Sequence, residues 1–558
     1  MSDIIRRRAL LGGTRNTDAH ECIVEYEFPR SHHNDRFPNS FGTKNITEVN
    51  WPEGITGIES YTFRGSSIDC NNFNEIPSTV TQIGKYAFAN CLNLQGSITL
   101  PENLETLGDY SFYYCSGITT VTLPTTDCVF GYYSVYLAKN FNATNGVMYV
   151  FTYGALSSNS GTWLNTQPSG NVYLGNNYVQ YKGTMPYNTN LTIEPGTLSI
   201  AASAFNGKTQ LKSITIPDTV KYIGAFAFSG CTGLTSITIP KSLDNELYEN
   251  LNSNADYVET WPSGTATTNI TLERYVNSTY AYVSPFYNTA CTGITTVNWN
   301  AVNGYGGSSA TNYYCFLGGG TYLPNLTTIN FGSEVESIPN YLCYGLKKLT
   351  TITIPSSVKY IGQQAFSGCT GLTSFTIPET VEKIHTSGAV LSGCTGITVL
   401  NYNAVSCVRS SSMSATGVTT LNSIWGATSN LTTVNIGNQV QVIPGGLLGT
   451  GQSKVTSITI PNSVTTISYA AFYQSKLTSI DLPASVTRIE NYAFASCTSL
   501  TSITIRSTTP PTLDSTYSST FPSTSQNYKI YVPASAVNTY KTTSKWSYWA
   551  SKIQAIPS

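Results

Sequence analysis

The stretch Ser213–Cys231, SITIPDTVKYIGAFAFSGC, decides the architecture of this 558-residue chain, because variants of it recur along the sequence. Clear copies lie at Ser97–Cys115, Thr351–Cys369 and Ser479–Cys497. Within consecutive repeats the proline recurs at a fixed interval, so that Pro217 and Pro240 are 23 residues apart. A constant period of this length is typical of a solenoid, in which no single unit can bury its apolar face alone.

Within one repeat the pattern changes from strand-like to turn-like. Ile214 and Ile216 alternate with Ser and Thr, which predicts a strand whose isoleucines face the core and whose hydroxyls face solvent. Pro217 ends that strand, since it has no backbone N–H. Residues 227–231 have helical spacing and predict one short helical turn with Phe228 buried. Stacked repeats would then place their strands in a parallel sheet along one face.

The chain contains 13 cysteines, and five of them follow a repeat phenylalanine by three residues: Cys91, Cys115, Cys231, Cys369 and Cys497. A small apolar residue that recurs in phase predicts a core ladder of free thiols. Neighbouring turns lie about 5 Å apart, so a disulfide between Cys91 and Cys115 remains an open alternative. We expect no metal site, because the histidines lie mostly near the N-terminus and the chain has no C-x-x-C pair.

The repeat resembles the BspA-type leucine-rich repeats, whose units read LTSITIPxSVTxIGxxAFxGCTG. Pro, Gly, Ala-Phe and Cys fall in register with that pattern in residues 49–124, 191–240 and 327–505. The resemblance implies an α/β-type leucine-rich-repeat solenoid that is dominated by β-structure, with a parallel sheet along one face and β- and loop-rich insertions. It also implies adhesion and recognition at surfaces, without catalysis.

The interruptions of the repeat divide the chain further. We expect an N-terminal arm or cap at 1–48, Tyr-rich insertions at 125–190 and 241–326, a shorter insertion at 401–432 and a C-terminal cap at 506–558. Each interruption follows the strand of a repeat, so the insertions should emerge from one edge of the solenoid. Residues 534–550 of the cap are predicted to form a helix that covers the last turn with Val537, Tyr540, Trp546 and Trp549.

The insertions combine aromatic residues with Asn, Gly, Ser and Thr, a composition typical of recognition loops. The alternative reading of any one aromatic residue, that it packs a small satellite core, stays open. We expect part of the group to bind a cell-surface glycan or protein, with these candidates: Trp163, Tyr178, Trp261, Tyr282, Trp299, Tyr305, Tyr313, Tyr402 and Trp425.

The N-terminal arm is basic, with Arg6, Arg7 and Arg8 followed by the short apolar run at 9–11. A signal peptide needs an apolar region of about 7–15 residues, so we recognise none here. The arm is either a cap over the first turn or a docking arm, through its three arginines, for virion or other assembly proteins. The expected location is an extracellular surface or a phage virion.

Composition argues against several other classes of partner. Charged residues make up 11% of the chain, against roughly 25% in an average soluble protein. The net charge is −1 and no basic stripe is present, so nucleic acid is not an expected partner. No apolar run reaches the ~18–20 residues of a membrane-spanning helix.

Motifs for catalysis are also missing from the sequence. It contains neither G-x-S-x-G nor H-E-x-x-H, and Gln452 stands where a phosphate-binding loop would need lysine. We therefore expect no enzyme and no cofactor. Two alternatives to a recognition protein remain: a structural component of a phage virion or other assembly that binds its own neighbours, and a glycan-acting enzyme, which would need two carboxylates about 5–10 Å apart.

Overall fold

A computed structural model shows the fold. It describes residues 22–25, 36–37, 46–51, 54–68, 76–152, 154–156, 161–243, 284–303, 315–317, 319–385, 390–410, 430–448, 454–514 and 520–557. The chain divides into two compact units. Unit 1 is Met1–Leu234 with Ser242–Cys291, and unit 2 is Thr235–Lys241 with Thr292–Ser558. Each unit is a parallel-sheet β-solenoid with little helix, which confirms the fold class expected from the sequence.

Unit 1 is built almost entirely from short parallel strands. Two sheets dominate its first part, with strand orders β10-β8-β6 and β11-β9-β7-β5-β4-β2. Its described elements are β1 (Cys22–Glu25), β2 (Arg36–Phe37), β3 (Ile46–Asn50), β4 (Gly57–Ile58), β5 (Gln82–Ile83), β6 (Gln95–Thr99), β7 (Thr106–Leu107), β8 (Gly117–Thr122), β9 (Cys128–Phe130), β10 (Asn140–Asn142), β11 (Tyr149–Phe151), α1 (Trp163–Thr166), β12 (Gly170–Leu174), β13 (Asn177–Lys182), β14 (Thr189–Thr192), β15 (Ser199–Ile200), β16 (Leu211–Thr215) and β17 (Tyr222–Ile223).

Unit 2 repeats the same plan and ends in a short helical region. Its sheets have the orders β18-β19-β20, β21-β22-β24-β26, β23-β25-β27, β28-β29-β31-β33 and β30-β32-β34-β35. Its described elements are β18 (Ser236–Ile239), β19 (Thr296–Trp299), α2 (Gly319–Tyr322), β20 (Thr328–Phe331), β21 (Ser337–Ile338), β22 (Tyr360–Ile361), β23 (Ser374–Ile377), β24 (Lys383–His385), β25 (Val399–Tyr402), β26 (Val408–Ser410), β27 (Thr433–Ile436), β28 (Val442–Ile443), β29 (Thr466–Ile467), β30 (Ser479–Leu482), β31 (Arg488–Ile489), β32 (Ser502–Ile505), β33 (Thr512–Leu513), β34 (Lys529–Val532), α3 (Val537–Thr542) and β35 (Ile553–Ala555), with 3-10 helices at Ala534–Ala536 and Trp546–Trp549.

A typical turn of the solenoid carries two strands, one more than the sequence predicted. In the repeat that begins near Ser213, β16 is followed by Pro217 and then by the two-residue strand β17. Gly224 follows β17 at once, and a Cβ there would lie 2.4 Å from the backbone nitrogen of Ala202 on the neighbouring turn. Only glycine fits at this position, because the backbone of the neighbouring turn occupies the space of a side chain.

The segment after the second strand is a series of tight turns instead of the predicted short helix. Phe226 and Gly230 have φ values of 60° and 68°, and left-handed backbone of this kind interrupts a helix. The N–H groups bond to the next turn: Phe226 N–H donates to Ser284 O at 3.1 Å, and Phe228 N–H donates to Pro285 O at 2.8 Å. Hydrogen bonds between turns thus replace those within a helix.

The repeat phenylalanines stack in columns through both units. The columns are Phe63–Phe88–Phe112 with ring centroids 5.1 and 4.9 Å apart, Phe205–Phe228–Phe286 at 5.5 and 5.8 Å, and Phe472–Phe494–Phe521 at 5.3 and 5.7 Å. All of these rings are buried. Because each ring contacts the equivalent ring on the next turn, the column fixes the spacing of the repeats.

The repeat cysteines form a second column of free, buried thiols. Each Sγ donates a hydrogen bond to a backbone carbonyl of the preceding turn: Cys91 to Phe63 O at 3.0 Å, Cys115 to Phe88 O at 3.0 Å, Cys231 to Phe205 O at 3.2 Å, Cys369 to Cys343 O at 2.9 Å and Cys497 to Phe472 O at 2.9 Å. Since Cys91 and Cys115 are free, the disulfide left open by the sequence is not formed.

Much of the first expected insertion, 125–190, continues the solenoid. Strand β9 pairs with β7, β11 pairs with β9, and β10 pairs with β8, all in parallel. Only the hairpin of β12 and β13 is antiparallel, and β13 then pairs in parallel with β15. The expectation of a separate Tyr-rich insertion here is corrected, because its apolar residues extend both sheets.

The other two expected insertions also contain parts of regular turns. Strand β19, within 241–326, pairs with both β18 and β20, and β25 extends into 401–432 as far as Tyr402. Residues 244–283, 304–314 and 411–429 of these insertions lie outside the described residues.

The C-terminal region covers the end of unit 2 but is not the single helix predicted for 534–550. Helix α3 is followed by Lys545, whose φ of 68° separates it from the 3-10 helix at Trp546–Trp549. Trp546 and Trp549 are buried against Phe521, with ring centroids 5.5 and 5.0 Å away. Strand β35 then pairs with β34 and extends the sheet.

The phenylalanine column predicts the effect of removing one ring. Phe228→Ala should lower the free energy of unfolding of unit 1 by about 3–5 kcal/mol, because it leaves a cavity between two stacked neighbours. Urea denaturation followed by circular dichroism measures this change. Tyr187→Ala, which alters a ring that is 84% exposed, should change the same free energy by less than about 0.5 kcal/mol. Equal effects of the two substitutions would contradict a structural role for the column.

The thiol column predicts chemical inertness in the folded chain. Burial raises the pKa of Cys291 to about 11 and that of Cys394 to about 12, and a protonated, buried thiol reacts slowly with disulfide reagents. At pH 8 we expect Ellman's reagent to leave the eleven buried cysteines unmodified in the folded chain. All 13 cysteines should react in 6 M guanidinium (a denaturing control). Fast modification of any of the eleven buried cysteines under native conditions, located by mass spectrometry, would contradict the burial of the column.

Candidate functional site

Two of the aromatic candidates chosen from the sequence lie in the interior of unit 1. Trp163 is 9% exposed and packs edge-on against Phe141, with ring centroids 5.6 Å apart. Tyr178 is fully buried, stacks on Phe205 at 4.8 Å, and donates its hydroxyl hydrogen to Asn171 Oδ1 at 3.1 Å. Neither ring presents a face to a ligand, because each face is covered by the core.

Trp299 and Tyr402 occupy equivalent interior places in unit 2. Trp299 is paired in register with Ile239 and Phe331, and Tyr402 is paired with Ile377. Both side chains have no exposed surface. The sequence predicted that Trp163, Tyr178, Trp299 and Tyr402 bind a ligand, and the structure corrects this prediction. These side chains lie at inward positions of strands or under loops, and they form part of the core.

The remaining candidates lie outside the described residues. They are Trp261, Tyr282, Tyr305, Tyr313 and Trp425, together with Arg6, Arg7 and Arg8 of the proposed docking arm. The structure therefore brings no pair of the sequence-predicted site residues together at a surface among the residues it describes.

The structure instead shows a cluster of tyrosines on the outside of unit 1. Seven of its members are half-buried, and Tyr114 is 50% exposed. We name this cluster the tyrosine surface and define it as Tyr61, Tyr86, Tyr110, Tyr113, Tyr114, Tyr132, Tyr133 and Tyr136. It extends over successive turns, so an extended ligand could contact several rings at once.

Three of these rings form a stacked row. Tyr61 and Tyr86 have ring centroids 5.2 Å apart, and Tyr86 and Tyr110 are 4.6 Å apart with an interplanar angle of 1°. The row then widens, since Tyr132 and Tyr133 stack on each other at 4.0 Å. Tyr110 meets Tyr132 edge-on at 5.1 Å, which joins the row to the wider part.

The three rings of the row and Tyr133 all stand at one position of the repeat, two residues before the phenylalanine or its equivalent. Tyr61, Tyr86, Tyr110 and Tyr133 all have left-handed φ there, between 52° and 66°. On other turns the same left-handed position holds Phe226, Tyr341 and Tyr492, but also Ser203, Gln364 and Ala470. The fold therefore requires this backbone conformation but not a tyrosine side chain, so the packing of the core does not explain the row.

Cations lie over the first rings of the row. The Arg64 guanidinium carbon is 5.7 Å from the centroid of Tyr61 and 5.2 Å from that of Tyr86, and Lys85 Nζ is 5.8 Å from Tyr86. Partial burial, with a smaller contribution from Tyr86, raises the pKa of Tyr110 to about 12. This hydroxyl therefore stays neutral at physiological pH and can donate a hydrogen bond.

Asp109 supports the surface from below. It is 2% exposed, and its Oδ1 accepts a hydrogen bond from the Tyr132 N–H at 2.8 Å. Burial raises the pKa of Asp109 to about 6, although that hydrogen bond and the charge of Lys85 oppose the increase. Asn340 has the same role on another turn, where its Oδ1 accepts the Gln363 N–H at 2.6 Å.

The sequence contained a signal for this surface that the choice of insertions overlooked. Tyr61, Tyr86 and Tyr110 belong to regular repeats, where their spacing from the next phenylalanine is constant. An unbroken run of tyrosines at a position that other repeats also fill with Ser, Gln or Ala marks a feature that packing does not require.

Other kinds of site are not found among the described residues. No group of three or more His, Cys, Asp or Glu side chains is placed to hold a metal ion in the part of the chain that the structure describes. Within the same residues, no helix has the length and apolar character needed to cross a membrane.

Comparison with known proteins assigns the repeats to a family. Four segments, 37–146, 181–303, 312–424 and 422–544, match the family described as "BspA type Leucine rich repeat region", in 6 copies. The chain belongs to the BspA-type leucine-rich repeat family. Membership supports a general role in protein binding or recognition at a surface.

The solved structures that resemble this chain are distant from it in sequence. A leucine-rich repeat protein from Bacteroides ovatus is 17% identical, with a TM-score of 0.30, over 100% of this chain and 99% of that one. A leucine rich cell surface protein from Faecalibacterium prausnitzii is 16% identical, with a TM-score of 0.24, over 88% and 91%. The pneumococcal vaccine antigen PcpA is 13% identical, with a TM-score of 0.24, over 97% and 94%. No curated protein matches the chain.

Asp109 predicts a pH dependence of stability within this BspA-type repeat. Its pKa rises from 3.8 in the unfolded chain to about 6 in the folded chain. Its stabilising contribution is therefore complete below pH 3.8 and is lost as the pH rises through 6. Asp109→Asn keeps the acceptor for Tyr132, as Asn340 does on its own turn, and should stabilise unit 1 at pH 7.5 by up to about 3 kcal/mol.

Urea denaturation of both proteins at pH 7.5 and pH 4.5 measures this effect. The advantage of the Asn variant should shrink at pH 4.5, where Asp109 is protonated in the folded chain. Glu102→Gln, at an exposed carboxylate of the same unit, is the matched control and should show no such difference. An Asn variant with the same advantage at both pH values would contradict the raised pKa.

Proposed function

We propose that this protein is a non-enzymatic recognition or adhesion protein whose tyrosine surface binds a glycan or protein exposed on a cell. The observation that carries this proposal is the row at one repeat position. Tyr61, Tyr86, Tyr110 and Tyr133 lie on four consecutive turns, at a place that the same fold fills elsewhere with Ser, Gln or Ala as well as with Phe or Tyr. Selection for a ligand explains the tyrosines, since the core does not need them.

The chemistry of the surface suits recognition. Tyrosine supplies a large, rigid, amphipathic contact area at a low cost in conformational entropy. The stacking of Tyr86 on Tyr110 restricts both rings before a ligand arrives, so less freedom is lost on binding. Arg64, beside the first two rings, adds positive charge and a planar hydrogen-bond donor at one end.

A non-catalytic role is consistent with the placement of Asp109, the buried carboxylate bonded to the backbone of the tyrosine surface. Asp109 is buried, and its Oδ1 is engaged by the Tyr132 N–H. It therefore supports the backbone and does not contact a ligand. In our proposal the protein acts at a bacterial surface or on a virion, where its family membership and its neutral, hydroxyl-rich composition are both appropriate.

The proposal predicts that two substitutions in the tyrosine surface weaken binding without unfolding the protein. Tyr86→Ser and Tyr110→Gln introduce residues that this repeat position already accepts at Ser203 and Gln364. Together they should weaken binding to intact bacterial cells, or to glycans on an array, by at least tenfold, because central aromatic contacts often dominate interface energies. Flow cytometry with labelled full-length chain and array fluorescence measure the loss.

Tyr187→Ala, at an 84% exposed ring outside the tyrosine surface, is the matched control and should bind as the unaltered chain does. The double variant should retain its melting temperature within a few degrees. Unchanged binding by the double variant would refute the role of the tyrosine surface. Absence of binding by the unaltered chain to all cells and glycans would instead favour a structural component of an assembly.

A further inference from the structure

A pocket of about 280 Å³ opens beside the wide end of the tyrosine surface. Tyr133 and Tyr136 form its aromatic side, and Phe151 and Leu164 are among its apolar lining. Its volume is just below the range of about 300–1,000 Å³ that is common for small-molecule sites. The pocket is therefore large enough for one ring and too small for an oligosaccharide.

The pocket exists because the row of tyrosines stops. Phe130 pairs with Phe151, so Gly154 holds on its turn the place that Tyr133 holds on the preceding one. A Cβ on Gly154 would lie 2.7 Å from Cε1 of Tyr133, and its φ of 70° also favours glycine. Further along, the row position holds the small residue Ser203. Because Gly154 and Ser203 stand where the preceding turns have tyrosine, the volume of the missing rings is left as the pocket.

Two polar side chains give the pocket a hydrogen-bonding character. Ser203 lines it, and the Ser203 hydroxyl is buried without a hydrogen-bond partner among the described residues. An unpaired buried hydroxyl is unfavourable, and a rotation about χ1 that turned it towards a ligand hydroxyl in the pocket would remove this penalty. Gln180 lines the same pocket and adds an amide that can both donate and accept.

The lack of charged side chains in the pocket restricts the class of ligand further. None of the described residues that line the pocket is charged, so a carboxylate or phosphate would lose its hydration with no opposite charge to replace it. A hydrocarbon would leave the Ser203 hydroxyl unpaired. A ring that has both apolar C–H faces and several neutral hydroxyls fits the tyrosine rings and the two polar groups together.

We propose that this pocket binds a single neutral hexopyranose residue, the terminal or side-chain sugar of a larger surface glycan. This inference rests on the proposed recognition function and specifies its ligand class. The sugar ring stacks against Tyr136 or Tyr133, and its hydroxyls bond to Ser203 and Gln180. The remainder of the glycan then lies along the tyrosine surface.

Direct binding of monosaccharides to the full-length chain tests the pocket. The probes are the methyl pyranosides of glucose, galactose, mannose and N-acetylglucosamine, with N-acetylneuraminic acid as a charged comparison. Saturation-transfer NMR and isothermal titration calorimetry measure the affinity. We expect at least one neutral pyranoside to bind and the charged sugar not to bind. Binding of none of the neutral sugars overturns the inference, as does preferential binding of the charged one.

Two variants assign any binding to this pocket. Ser203→Ala places at this position the residue that Ala470 already provides with a φ of 53°, and Gln180→Leu keeps the size of the side chain. Each should weaken the sugar's affinity at least fivefold. Ser203→Ala should not lower the melting temperature, because it removes no hydrogen bond of the protein. Gln210→Leu, at a half-buried glutamine of unit 1 outside the pocket, is the matched control.

The outcomes separate this inference from the proposed function. If Tyr86→Ser with Tyr110→Gln abolishes binding to cells but leaves monosaccharide affinity unchanged, both stand. If the pocket variants bind the sugar as the unaltered chain does, or lose affinity only together with their melting temperature, the pocket inference fails. Binding to cells that still depends on Tyr86 and Tyr110 would in that case leave the recognition function in place.

Discussion

The stacking of one turn directly on the next is the constraint on which the rest of the structure depends. A turn alone would expose its phenylalanine, its cysteine and the unpaired edges of two short strands. On the stack, the ring of Phe228 lies between Phe205 and Phe286, and the Cys231 thiol bonds to the carbonyl of Phe205. These contacts hold only if every turn has the same rise. Positions that set the rise, such as Gly224, therefore allow little change.

The same constraint leaves other positions free. Two residues before the phenylalanine, the backbone is left-handed on turn after turn, but its side chain varies from Ser203 to Tyr110. A left-handed non-glycine residue costs about 1–2 kcal/mol, and the inter-turn hydrogen bonds offset that cost whatever the side chain is. Because the strain belongs to the repeat and not to the site, the left-handed tyrosines by themselves say nothing about function. The run of tyrosines on consecutive turns is the informative feature.

The sequence predicted the features that depend on periodicity. Alternating Ile214 and Ile216 gave the strand, the period gave the parallel stacking, and the phase of the cysteines gave the thiol column. The helical turn was wrong because spacing alone does not reveal the left-handed φ at Phe226. Trp299 was placed on the surface because it lies in an aromatic-rich stretch, although Thr-Val-Asn-Trp has the same alternation as Ser-Ile-Thr-Ile and so points the tryptophan inward.

The tyrosine surface left a periodic signal in the sequence, but the pocket beside it could not be predicted in this way, because it depends on which turns are neighbours. Nothing in the local sequence of Gly154 distinguishes it from a glycine in an ordinary turn. Gly154 helps to form the pocket only because Phe151 pairs with Phe130, and this pairing places Gly154 next to Tyr133. A solenoid with the same residue on every turn presents a uniform surface and offers no enclosed space. A pocket arises where a small residue follows a large one at the same repeat position on successive turns. Ligand-binding sites in such a fold should therefore be sought at these changes in side-chain size.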